Sequence, residues 1–462
     1  MPNNFAYLAL ILWPLIAIKL YRKKEVIPAT FWTIVGGYLL LPVGVEIDFP
    51  LIPSMNKETI PVIMAFLGCR YIAKEDVKIL PPKGIERNLI LLFFLGAIGT
   101  VLTNGDPIVV GNNYLPGLSF RDLFSVIMGK YLLLLPFILG IQLIKTTDDQ
   151  VQLFKLIVVA GLLYSVLILF EIRMSPQLHK WIYGFFPHTW GQQVRYGGFR
   201  PVVFLGHGLW VSMFTVIVIG AAVTLSKLKM KLNRRPNAVV IAYLVLLLIL
   251  SKGFGSMILG AILLLIIGFF KPRVIFLLSI VIGLLSVAYP FLCLIDIFPH
   301  QLVIENIESI NPAQAGSLQF RFNHEIALLE RATDRFLFGW GAWGRNRLGD
   351  SVVDGYWIGL IGMYGVVGFI SIFGLMFIAI WKTRLSLNYL QGMQDKFSLA
   401  SLSLMVSLIM VDQIPNHSEN PFFWFLTGAL IGRHLYILKS RSIERTENSA
   451  DVINARLRNT DV

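Results

Sequence analysis

DGYWIGLIGMYGVVG (residues 354–368) begins with a carboxylate, and every residue after Asp354 is apolar, aromatic or glycine. Continued to residue 381, the stretch is long enough to cross a bilayer, whose hydrocarbon core takes roughly 20 residues of helix. Asp354 then marks a helix start, where a carboxylate favours the dipole and caps free N–H groups. Gly365 and Gly368 below it would permit close helix packing. Whether Asp354 does more than cap a helix depends on its surroundings.

The rest of the chain has the same character. It has 462 residues, is 56% hydrophobic and only 15% charged, and has a mean hydropathy of +0.70. Soluble domains carry about 25% charge, so the composition is that of a polytopic membrane protein. The pattern predicts an all-α bundle of about 13 spans (12–14). They fall near 5–20, 27–45, 59–73, 88–103, 122–144, 151–172, 202–225, 237–251, 254–270, 274–295, 355–381, 397–414 and 421–438. The third is short enough to be re-entrant. Residues 1–438 read as one integral membrane domain, and the polar tail 439–462 reads as disordered.

A net charge of +13 would suit a nucleic-acid binder, but most of the excess lies in short loops between apolar runs, where it reports topology. No nucleic-acid partner is expected. The first run lacks a basic stretch before it and is followed by Lys19, Arg22, Lys23 and Lys24. That pattern predicts an uncleaved anchor with the N-terminus outside and the C-terminus inside. On this topology the inner loops, inner span ends and tail, including KLKMKLNRR (227–235) and KPR (271–273), hold 27 Lys and Arg, against 12 outside. Lys130 falls within a span. Cys69 and Cys293 are the only cysteines. They form no disulfide framework or thiolate metal site and read as small buried hydrophobes.

Nine of the 12 outer cations fall in two long loops, 173–201 and 296–354. In the first, Trp181, Tyr183, Trp190 and Tyr196 suit the headgroup level. Arg195 and Arg200 flank a Gly-Gly pair. An arginine fork suits phosphate or carboxylate, and glycine lets backbone approach a ligand; contact with lipid phosphate is the simpler alternative. His207, in FLGHGLW, is expected about two turns into a span, where an ionisable residue faces a polar cavity or a partner.

In the second loop, 320–338 is helical in pattern. Phe322, Ile326, Leu329, Thr333 and Phe336 share one face, while Arg321, His324, Arg331 and Arg335 gather on another. An interfacial helix with Arg321 and Glu325 paired at i, i+4 is one reading. A clamp for a diphosphate is the other, because cations are unexpected on this side. FGWGAWG follows, where Trp340 and Trp343 could stack on sugars.

No P-loop, HExxH, CxxC or GxSxG motif occurs, so ATP hydrolysis, zinc proteolysis and serine hydrolysis lack support. No DxD pair sits in an outer loop. Glycosyl transfer here is expected to run without a metal or other cofactor, arginines stabilising the leaving group.

In its architecture and in four segments the chain resembles the O-antigen ligase and polymerase superfamily of bacterial surface-polysaccharide assembly. RFNHEIALLERATDRFLFGWGAWG (321–344) is similar to that family's arginine-containing loop helix and following turn. DGYWIGLIGMYGVVG resembles the next span, RYGGFRPVVFLGHG (195–208) the start of a central span, and LILSKGFGS (248–256) a Ser-x-Gly helix break. The resemblance implies a bacterial inner-membrane enzyme acting on its outer face. Its donor would be a glycan on undecaprenyl diphosphate and its acceptor a second glycan, with a chain-length regulator or flippase as candidate partner. Arg200 and Arg321 would hold the diphosphate, with Arg195 as a second candidate beside Arg200. Arg331, Arg335, Trp340, Trp343 and Tyr356 complete the candidate substrate-binding set. Asp354, His207 and His324 are the candidate bases.

Family ligases generally carry a histidine where this chain has Asp354, so the resemblance favours a polymerase of lipid-linked repeat units. A ligase onto a lipid or protein acceptor, with His207 or His324 as base, is the alternative. A flippase for lipid-linked sugar is the third reading. It is disfavoured because no internal repeat is visible and the polar clusters lie at the rim.

Overall fold

The computed structural model describes residues 1–49, 52–195, 197–231, 237–349 and 351–458. Tyr196, residues 232–235 of the basic loop and the last four residues lie outside the described residues. Among the described residues there are 16 α-helices. The first seven are α1 Asn4–Lys23, α2 Val26–Leu40, α3 Thr59–Leu67, α4 Ile85–Leu102, α5 Phe120–Leu143, α6 Thr147–Met174 and α7 Leu178–Tyr183. Next come α8 Gly208–Lys227, α9 Asn237–Leu250, α10 Phe254–Phe269, α11 Pro272–Leu294 and α12 His300–Glu308. The last four are α13 Pro312–Thr333, α14 Tyr356–Ser386, α15 Met393–Asp412 and α16 Pro421–Arg458. A π-helical turn, Gly68–Ile72, extends α3.

Each of the thirteen apolar stretches is helical, and α7, α12 and α13 lie in the two long loops. Eight helices (α1, α4, α5, α6, α8, α11, α14 and α15) are long and apolar enough to cross a membrane. This is the architecture of a multi-pass membrane protein. The outer face of α1 exposes Leu8, Ile11, Leu12 and Leu15, which suits lipid and not water. By contrast, 89% of the most apolar window of α8 is buried, so α8 stands at the centre of the bundle.

Caps and small residues account for the packing. Ser119 and Asp122 form a capping box on α5, as do Thr146 and Asp149 on α6; each satisfies orphan N–H groups at a helix start. Where α5 crosses α16, a Cβ on Gly428 would overlap the Phe137 carbonyl, and one on Gly432 would crowd the carbonyls of Ile141 and Ile144. Small residues let these backbones touch. Lys130, the cation within a span, is 2.9 Å from Glu419 and donates to the Tyr356 hydroxyl at 3.2 Å. A buried charge is thereby paired.

The loops of one end of the bundle bond to one another. Val43 N–H donates to His179 Nε2 (3.2 Å), Lys57 Nζ to Phe204 O (2.6 Å), and Asn3 N–H to Tyr183 O (3.0 Å). Arg335 pairs with Asp106 at 3.1 Å, and Arg321 donates to Pro415 O at 2.6 Å. Three short antiparallel hairpins decorate this end: Glu46–Phe49 with Ile52–Asn56, Ile108–Val110 with Asn113–Leu115, and Val194–Arg195 with Gly198–Phe199.

Two expectations change. His207 is not two turns inside a span: α8 begins at Gly208, and His207 is its N-cap. The chain before it is held open because Glu171, on α6, accepts the N–H groups of Val202 (2.8 Å) and Val203 (2.7 Å), which a helix would leave elsewhere. The loop helix ends at Thr333, so Phe336 and Phe338 lie past it. The backbone of the tail is helical to Arg458. No glycine or proline follows Gly432 to stop α16, and other residues pay little to stay helical.

Candidate functional site

A cavity of about 520 Å³ opens at the loop-rich end. Its lining includes Arg195, His207, Arg321 and Asp354 from the expected set, together with His188, Trp210, Asn416 and His417. Five chain segments therefore converge: the stretch after α2 at Val43, the two long loops, the start of α8, and the turn between α15 and α16.

Asp354 is not the helix cap. Gly355 is the N-cap of α14, and no side-chain hydrogen bond caps that helix. Asp354 Oδ2 instead lies 3.6 Å from Arg321 Nε, with both side chains partly exposed to the cavity. Gly355 allows this, since a Cβ there would overlap the Ile414 carbonyl. The turn is built by Asp412, which accepts from Asn416 Nδ2 (2.9 Å) and Ser418 Oγ (2.8 Å). It is tied to α14 by Tyr356 N–H, which donates to Gln413 O (3.0 Å). In return the turn offers Arg321 two acceptors, Pro415 O at 2.6 Å and Asn416 Oδ1 at 3.2 Å. The guanidinium is thus aimed at the carboxylate by a rigid neighbour and not by the pair alone.

His207 sits in a positive field. Burial first, and then His188, Arg200, Arg321 and Arg195, hold its imidazole down at about 3. Its ring meets that of His188 edge-on at 4.7 Å. Leu209 N–H donates to His207 Nδ1 at 3.0 Å, so the neutral ring carries its proton on Nε2. His207 is therefore a hydrogen-bond donor in this state and has no free lone pair for general-base work. Burial also lowers His417, whose ring lies 5.0 Å from that of Tyr356.

The other expected residues lie off the cavity lining. Arg200 is buried, donates to Lys252 O at 3.2 Å and packs against Gly208. Tyr356 is 1% exposed, behind His417. His324 packs on Phe320 at 4.3 Å. Arg331 and Arg335 place their guanidinium groups over the Trp340 ring at 4.2 and 4.6 Å. Arg331 further donates to Arg345 O, and the Trp340 indole donates to Arg331 O. This stack is a brace, and it engages the ring that was expected to meet sugar. Trp343 is exposed with φ +56. Trp210 and Phe320 supply the aromatic lining instead.

Sequence reasoning missed His188, Asn416 and His417. The available signal was DQIPNHSEN (412–420), an unusually polar turn between two spans on the side already expected to carry the chemistry. It also missed Arg345, which is 1% exposed and donates to three carbonyls, those of Trp340, Pro116 and Asp106.

Chemically, the cavity offers one carboxylate, two arginines, neutral imidazoles and an aromatic wall. A carboxylate can take a proton and the arginines can hold a developing anion. Compared with known proteins, the chain matches no family model and no curated sequence.

Proposed function

We propose that the protein is a membrane glycosyltransferase that polymerises lipid-linked oligosaccharide repeat units on the outer face of a bacterial inner membrane. The observation that carries this reading is the Asp354–Arg321 pair, 3.6 Å apart in a cavity that Arg195 and His207 also line. Asp354 takes the proton of an acceptor hydroxyl, whose oxygen bonds to the anomeric carbon of the donor sugar. The bond from that carbon to the diphosphate oxygen breaks, and Arg321 and Arg195 stabilise the departing anion. His207 donates through Nε2–H to the same anion or to a sugar oxygen.

Topology supports the placement. With thirteen spans, N-out and C-in, the cavity end of the bundle is the outer end. The basic loops at 74–87 and 227–231 then fall inside, as positive-inside requires. The resemblance of 321–344 and 354–368 to O-antigen polymerases and ligases points to the same chemistry and to undecaprenyl diphosphate as the lipid.

The test is purified protein incubated with lipid-linked repeat units, followed by product sizing. A ladder of lengthening glycan is expected. Absence of a ladder with wild-type protein, or an unchanged ladder with properly inserted Asp354→Asn and Arg321→Ala variants, would contradict the reading. Ligation is the second reading, favoured only by the histidines lining the cavity. Loss of a ligase from cells leaves long polymer on the carrier lipid, whereas loss of a polymerase leaves single repeat units.

A further inference from the structure

One turn along α13 from Arg321, outside the cavity lining, Glu325 is buried with no salt-bridge partner among the described residues. A buried carboxylate with no direct ion pair is costly, and Arg321 acts on Glu325 only from one turn away. Two further metal-type ligands meet it. Cys293 is in the last turn of α11, the chain reverses through 295–299, and His300 begins α12. The Sγ, imidazole nitrogen and carboxylate oxygen of these three residues all lie within 4.8 Å of one another.

The geometry is close to that of a bound ion. Cys293 Sγ is 3.8 Å from His300 Nε2. In a tetrahedral zinc site, with Zn–S near 2.3 Å and Zn–N near 2.0–2.1 Å, the corresponding separation is roughly 3.6 Å. Outer contacts hold the groups in place. The Tyr289 hydroxyl donates to Glu325 Oε1 at 2.5 Å. The His300 ring meets Phe298 and Phe322 edge-on at 4.8 and 4.7 Å. Holding a carboxylate by a hydrogen bond, as Tyr289 holds Glu325, is what outer contacts do in metal sites. Thiolate, imidazole and carboxylate together suit zinc better than the all-oxygen cations magnesium or calcium.

We propose that Cys293, His300 and Glu325 bind one zinc ion, with water in the fourth position. The ion pins α12 and α13 to the end of α11 and places a positive charge in direct contact with Glu325. Its role is structural: it fixes the helix that carries Arg321. The proposal is independent of the assigned reaction.

The test uses full-length protein in detergent, stripped with chelator, incubated with Zn²⁺ and freed of unbound ion. Metal analysis is expected to find about one zinc per chain in wild type and in Cys69→Ser, and close to none in Cys293→Ser or His300→Ala. With Co²⁺ in place of Zn²⁺, wild type and Cys69→Ser are expected to show a sulfur-to-cobalt charge-transfer band that Cys293→Ser lacks. The band is read on wild-type protein, so it does not depend on any variant folding. Wild type that retains no zinc, cobalt bound without the band, or full zinc content in a Cys293→Ser/His300→Ala double variant would each overturn the proposal.

Discussion

Asp354 sits one residue before the N-cap of α14, and that offset decides its use. At the cap its carboxylate would be spent on backbone N–H groups; one residue earlier it reaches Arg321. Asp354→Asn keeps the shape and removes the proposed base, so turnover should fall about 10²–10⁴-fold while thermal unfolding stays near wild type. Arg321→Ala should cost about 10²–10³-fold in kcat, with Arg321→Lys intermediate because lysine lacks the fork. His207 makes a different prediction. Its folded value is depressed to about 3 from an ordinary 6.5, so the unfolded chain takes up a proton at a pH where the native state does not. Stability from this group is present above about 6.5 and is lost as pH falls toward 3. His207→Asn, which can still cap α8 through its side-chain oxygen, should lose less stability between pH 7 and pH 5 than wild type. Melting curves at the two pH values check this, and equal losses would contradict it. Asp354 and Arg321 were legible in the sequence because sidedness placed both at one rim. The cap role of His207 was not, because it depends on Glu171 of another helix holding the preceding segment open.

At the scale of elements, the glycines of the opening stretch have an unexpected use. Gly365 adopts φ 66, ψ −171 inside α14, so the helix breaks there. The loop after α13 docks into the break. Gly362 O accepts from Trp340 N–H and Met363 O from Gly341 N–H, while Val366 N–H donates to Phe336 O. A Cβ at Gly365 would overlap the Leu337 carbonyl. Irregular backbone within a membrane protein survives only where protein satisfies it, and here FGWG does so. Gly365→Ala should therefore destabilise by at least the 1–3 kcal/mol of backbone strain, read as a lowered Tm; an unchanged Tm would contradict the break. The cations past Arg321 belong to the same brace. Arg331→Ala should remove about 0.5–2 kcal/mol of cation–π contact with Trp340 and lower Tm without raising KM for the donor. Helical periodicity gathered Arg321, Arg331 and Arg335 on one stripe but could not show that FGWG folds back over two of them. That contact joins the end of α13 to the first third of α14.

For the whole molecule, the apolar stretches were legible as helices because each is a continuous apolar run, and eight of the helices are long and apolar enough to cross a membrane. The cavity was not, since it brings together segments far apart in the chain, one of them the short polar turn at 412–420. Sidedness is testable directly in a Cys69→Ser background that keeps Cys293, with that parent protein as the labelling control. Gly316→Cys, on the exposed side of α13, should react with a membrane-impermeant thiol reagent in intact spheroplasts. Lys439→Cys should react only after permeabilisation; the reverse pattern would invert the topology. The most direct test of the central claim is the single-turnover rate of glycan extension by purified protein, wild type against Asp354→Asn, with lipid-linked repeat units. The Asp354–Arg321 account predicts a loss of about 10²–10⁴-fold in a variant that still folds; extension at the wild-type rate would contradict it.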